Sequence, residues 1–92
     1  MLRNAQKKGS QMENRVAILA IVISYPGSVE ALNRLLHEYG RHIIGRMGLP
    51  YKEKGISLIS IAMDAPQNTI SALSGKIGRL NGVSVKAVFA DI

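Results

Sequence analysis

The chain has no cysteine and no tryptophan, and phenylalanine occurs once in 92 residues. Without cysteine there is no disulfide, no thiolate nucleophile and no cysteine-ligated zinc or iron–sulfur site. The sequence also lacks a Walker sequence, a strand-anchored G-x-G-x-x-G, a Ser/His/Asp constellation and a closely spaced carboxylate pair. We therefore expect no enzymatic activity and no cofactor, and the missing cysteines are compatible with a cytoplasmic location.

Long hydrophobic runs are missing too. The apolar run at residues 16–23 is far shorter than the roughly 20 residues that span a bilayer, so we expect no membrane insertion. Twelve Lys and Arg residues against six Asp and Glu give a net charge of +6. Half of this excess lies in the first fifteen residues, which weakens a nucleic-acid interpretation. The aperiodic, polar stretch 1–14 predicts a flexible leader, followed by one domain over residues 15–92.

From residue 15 onward the pattern predicts alternating strands and helices. An apolar, β-branched run precedes a turn with Pro26 and Gly27, and an amphipathic helix follows over residues 29–39. Pro66 is predicted at the first position of a second helix. The remaining predicted strands cover residues 43–52, 56–63 and 83–89. The order β-α-β-β-α-β predicts an α+β, ferredoxin-like sandwich with a four-stranded antiparallel sheet and two helices on one face.

Both faces of the central strands are apolar in this arrangement. Two helices can cover only one face, so the other needs a partner, because a large exposed apolar patch is rare on a monomer. We expect a homo-oligomer, either a dimer or a tetramer. The alternative is that the leader folds over the open face.

Residues 39–55 contain four glycines, four Lys or Arg residues and two tyrosines. This composition predicts a basic surface on which the backbone bends and comes close to a ligand. The Gly45–x–x–Gly48 spacing is that of the nucleic-acid clamp of KH domains, but here it lies in a predicted strand and not between two helices. The central strands also lack the aromatic residues that stack bases in RRM domains, so we expect no direct nucleic-acid binding.

Two places are candidates for ligand binding. The turn containing Tyr25, Gly27 and Ser28 precedes a helix, where backbone N–H groups favour a small anion; alternatively, these residues only make the turn. His42 and Arg46 are further ligand candidates in the glycine-rich segment. His37 and His42 are alternative metal ligands, although a surface role explains both equally well.

Several segments resemble known families. Residues 25–29 and 80–85 resemble ACT domains, which sense small ligands. A denser resemblance, to small proteins described as iron-only hydrogenase system regulators, extends over nearly all of residues 15–90. The segments that carry this second resemblance are residues 35–40, 43–51, 53–57, 64–67, 75–76, 78–80 and 82–86.

The resemblance implies an ACT-like regulator that forms oligomers and is related in fold to the C-terminal domain of nickel-responsive repressors. Those repressors bind metal through several histidines and a cysteine, and they carry a separate DNA-binding domain. This chain has no cysteine. Our hypothesis is a non-enzymatic regulatory module of a hydrogenase system that binds a small anion, such as an amino acid, at a subunit boundary. The alternatives are a metal-sensing oligomer using His37 and His42 and a pure protein-interaction module.

Overall fold

A computed structural model describes residues 13–92, which fold as a sheet covered by two helices. The strands are β1 (Asn14–Ile23), β2 (Ile43–Tyr51), β3 (Ile56–Pro66) and β4 (Val83–Phe89), and the helices are α1 (Val29–Glu38) and α2 (Gln67–Gly78). Short 3-10 turns occupy Pro26–Ser28, Gly40–His42 and Lys52–Lys54. The predicted leader lies outside the described residues except for its last two positions. Neither helix in the described range has the length and hydrophobicity to cross a membrane.

The sheet is antiparallel with the strand order β2-β3-β1-β4. The central pair runs in continuous register from Asn14 opposite Pro66 to Ile23 opposite Ser57. With the βαββαβ order of elements, this topology confirms the predicted ferredoxin-like fold.

The hydrophobic core lies on one face of the sheet. Alternate residues of β1 are buried there, because successive side chains of a strand point to opposite faces. Leu32 and Leu36 of α1 share the same cluster with Ile70, Leu73 and Ile77 of α2, at the spacings that place residues on one side of a helix. Both helices therefore cover the same face, as the sequence predicts.

The junction between β3 and α2 differs from the prediction. Pro66 is the last residue of β3 and the N-cap of α2, not the first helical residue. Its backbone is extended, with φ −56° and ψ 147°, and it lies opposite Asn14 in the sheet. The strand is longer than predicted because β1 already begins at Asn14 and offers pairing partners to this end of β3.

The glycines of residues 39–55 have different structural roles. Gly55 has a φ of 66°, which glycine adopts without strain, and it closes the β2–β3 connection. A Cβ on Gly40 meets nothing within 4 Å, and on Gly45 or Gly48 it finds its nearest atom at 3.8 or 3.9 Å. Packing within the chain therefore requires glycine at none of these three positions. Strand β2 does bulge, since the register shifts between Ile43 and Gly45.

Candidate functional site

The face of the sheet opposite the helices is apolar and exposed. Most of its large side chains retain much of their accessible surface, as shown by 37% for Val22, 47% for Ile18 and 71% for Met47; Leu58 is half-buried. The strand register arranges the open face in three central rows across β2, β3, β1 and β4. These rows are Gly45–Ala62–Ile18–Val88, Met47–Ser60–Ala20–Lys86 and Leu49–Leu58–Val22–Ser84.

Lys86 carries the one charge in these rows, and the small residues Ser60 and Ala20 lie at the centre of the middle row. Asp64 lies at the end of the same face, opposite Val16. This face is therefore mostly apolar, with the cation of Lys86 in the middle row and the anion of Asp64 at one end. We refer below to the three rows together with Asp64 as the open face.

The turn before α1 is filled by its own side chains. The ring of Tyr25 covers Gly27 so closely that a Cβ there would lie 2.5 Å from a ring carbon. Ser28 is buried, and its hydroxyl donates a hydrogen bond to the backbone carbonyl of Asn81. The Ser28 N–H donates to the carbonyl of Tyr25 at 3.0 Å. These contacts give the turn a structural role, which was the alternative interpretation of its sequence.

A cleft of about 380 Å³ lies between α1 and β2. Arg46 is on the helix side of β2, opposite Ile61, and its Nη2 donates to Oδ1 of Asn33 on α1 at 2.8 Å. The guanidinium is therefore oriented by a hydrogen bond across the cleft. The residues that line the cleft are Asn33, Leu36, His37, Gly40, Ile43 and Arg46.

The predicted ligand-binding residues do not form one group within a single chain. Tyr25, Gly27 and Ser28 precede α1, whereas His42 and Arg46 follow it. Ten helical residues separate the two groups by roughly 15 Å at 1.5 Å per residue.

The two histidines also differ in position. His37 lines the cleft, and His42 lies in the following 3-10 turn without lining it. Among residues 13–92 no three or more His, Cys, Asp or Glu residues are grouped so that they could hold a metal ion.

Sequence reasoning missed Asn33 and Asn81. Asn33 is one of several polar residues on the outer side of α1, and no spacing links it to Arg46. Only the topology that brings α1 alongside β2 identifies the pair. Asn81 contributes its backbone carbonyl, and a contact made by the backbone cannot be predicted from the pattern of side chains.

The order of elements, the sheet topology and the helices on one face define a ferredoxin-like α+β domain. Residues 15–87 match the family described as "TM1266-like: Iron-only hydrogenase system regulator, putative", and the chain belongs to this family. The predicted resemblance to hydrogenase system regulators is thereby confirmed.

A solved structure is similar as well. It is described as "uncharacterized protein TM1266 from Thermotoga maritima", with a TM-score of 0.83 and 36% sequence identity. The similarity covers 86% of this chain and 100% of that chain. A comparison with curated proteins gave no match. The family description names a regulator and no enzymatic reaction.

Proposed function

We propose that this protein is a cytoplasmic, non-enzymatic regulator of a hydrogenase system that acts as a homo-oligomer, with its copies in contact through the open face. The family description supports the regulatory role. The observation that carries the oligomer is the set of exposed apolar side chains on the open face.

The size of the open face supports a protein contact. Four strands about 4.8 Å apart and seven residues at about 3.3 Å each give a flat area on the order of 400 Å². Patches of this extent on soluble proteins commonly mark interaction sites. Side chains such as Ile18 and Met47 are about half to two-thirds exposed, so covering each one contributes roughly 1 to 2 kcal/mol.

Shape and charge support a second copy of the chain as the occupant of this face. Two twisted sheets pack with their faces about 10 Å apart, and a second open face supplies the matching twist and an equally apolar surface. Most soluble oligomers are closed and symmetric. In a two-fold pair, Lys86 of each copy can approach a carboxylate such as Asp64 of the other, which compensates the charge in the rows.

Matched lysine substitutions test the contact. Ala20→Lys places a charge at the centre of the open face beside Lys86, and Ala72→Lys places the same charge on the exposed side of α2. We expect sedimentation equilibrium to give a mass above the 10.0 kDa of one chain for the wild type and Ala72→Lys, and 10.0 kDa for Ala20→Lys. A monomeric wild type, or an Ala20→Lys variant that assembles normally, would contradict the proposal.

The second part of the proposal is that a small anionic ligand binds as the regulatory input. Of the two groups of candidate residues, the geometry favours Arg46 over the turn before α1. In the turn the Ser28 hydroxyl is engaged by Asn81, and Tyr25 covers Gly27. Arg46, in contrast, lines an open cleft.

A further inference from the structure

We propose that the cleft between α1 and β2 binds a small organic carboxylate, with the Arg46 guanidinium as its anion-binding group and Asn33 as the residue that orients it. This inference deepens the proposed function and rests on it for the regulatory meaning of binding. The cleft lies on the helix side of the sheet, so binding itself needs no contact through the open face.

Arg46 is exposed and hydrogen-bonded to α1. Its Nη2 donates to Oδ1 of Asn33 at 2.8 Å, which joins β2 to α1 across the cleft. A guanidinium has five N–H donors in a fixed planar arrangement, and one of them is used by Asn33. The others can donate in parallel to the two oxygens of a carboxylate, the arrangement in which Arg–carboxylate pairs are strongest.

The other cleft residues define the rest of the ligand. Leu36 and Ile43 provide apolar surface, and His37 adds a second polar group at the wall. A volume of about 380 Å³ is at the small end of ligand-binding pockets. No residue that lines the cleft carries a carboxylate that would compensate a ligand ammonium group. The site therefore favours a carboxylate with a short apolar tail over a zwitterionic amino acid.

Gly40 supports the same conclusion. It lines the cleft, yet its φ is not positive and a Cβ there meets no atom within 4 Å. The fold therefore has room for a side chain at this position. A side chain at this position would take space from the cleft. Keeping the cleft open would therefore explain a glycine here, which the packing of the chain does not.

NMR titration of the full-length, ¹⁵N-labelled protein with isovalerate tests the site. Isovalerate has a carboxylate and a short branched tail, and isovaleramide is its neutral isostere. We expect saturable shifts of the amides of Asn33, Gly40 and Arg46 and of the Arg46 Nε–H with isovalerate, and at least tenfold weaker binding of isovaleramide. L-Leucine, with its added ammonium, should also bind more weakly than isovalerate.

Variants separate the roles of the residues. Arg46→Gln should weaken isovalerate binding about tenfold or more, because a charge-assisted hydrogen bond is lost. Gly40→Ala should keep the amide spectrum of the folded protein and weaken binding. Arg79→Gln removes an exposed arginine that does not line the cleft and should bind as the wild type does.

Equal binding of isovalerate and isovaleramide would overturn the inference, as would unchanged affinity in Arg46→Gln or the absence of saturable shifts in the wild type. The Ala20→Lys variant distinguishes these failures from a failure of the oligomer. If the site is correct, this variant should still give the isovalerate shifts at the cleft whatever its mass in sedimentation. Loss of those shifts in folded Ala20→Lys would contradict a site contained within one chain.

Discussion

Replacement of Gly82 by alanine should cost considerably more stability than the same replacement at Gly55. Both glycines have left-handed backbones, with φ of 68° and 66°, so alanine at either position incurs a conformational cost of about 1 kcal/mol. At Gly55 a Cβ meets nothing within 4 Å. This position therefore measures the conformational cost alone.

At Gly82 the new Cβ would lie 2.5 Å from Cβ of Tyr25 and 3.0 Å from its backbone nitrogen, so the backbone has to move. The carbonyl of Gly82 accepts hydrogen bonds from the N–H of Ser24 at 2.8 Å and from its hydroxyl at 3.0 Å. Weakening these two bonds adds roughly 1 to 2 kcal/mol. We expect Gly82→Ala to lose about 2 to 3 kcal/mol in total.

Urea unfolding followed by circular dichroism measures both variants. The protein concentration must be fixed, because assembly changes apparent stability by mass action. The thermal midpoint should fall by about 4–8 °C for each kcal/mol lost in a domain of this size. Equal losses for Gly82→Ala and Gly55→Ala would refute the packing of Tyr25 against Gly82.

Three further substitutions test other parts of the structure. Ser28→Ala should lower the free energy of unfolding by about 1 to 2 kcal/mol in urea unfolding, because the carbonyl of Asn81 loses its donor; no loss would contradict this contact. Gly48→Ala should change stability by less than about 0.5 kcal/mol in the same assay, since its nearest atom would be 3.9 Å away; a large loss would contradict the open packing. Tyr39, whose ring centroid lies 5.2 Å from Nζ of Lys76, raises the pKa of Lys76 above its ordinary value of 10.5. The stabilisation from this contact is therefore fully present below pH 10.5 and lost as pH rises through the raised pKa, and Tyr39→Phe should bring the pKa closer to 10.5 in an NMR titration of Nζ.

The fold could be predicted because it depends on local patterns. The β-branched run of β1 and the spacing of Leu32 and Leu36 determine which elements form and which sides they bury. The order of elements then selects the ferredoxin-like sheet. The sequence places the start of α2 one residue too early, because pairing with Asn14 keeps Pro66 in the sheet. This pairing is a tertiary contact, and the helix preference of proline does not predict it.

The candidate sites were predictable only in part. The apolar open face follows from the alternation of β1 and β3, which the sequence contains. The pairing of Asn33 with Arg46 depends on the packing of α1 beside β2, and the separation of Ser28 from His42 depends on the direction of α1. Glycine content alone also could not show that Gly40, Gly45 and Gly48 have free space around them.

Contact between two open faces can be detected by an isotope-filtered NOE measurement. Equal amounts of ¹³C,¹⁵N-labelled and unlabelled chains are mixed, so that cross-peaks between labelled and unlabelled protons arise only between copies. We predict intermolecular NOEs from the methyl groups of Ile18, Val22 and Leu49, and none from the buried Leu73 of α2. Intermolecular NOEs confined to the helices, or none at concentrations where the protein is oligomeric, would contradict contact through the open faces.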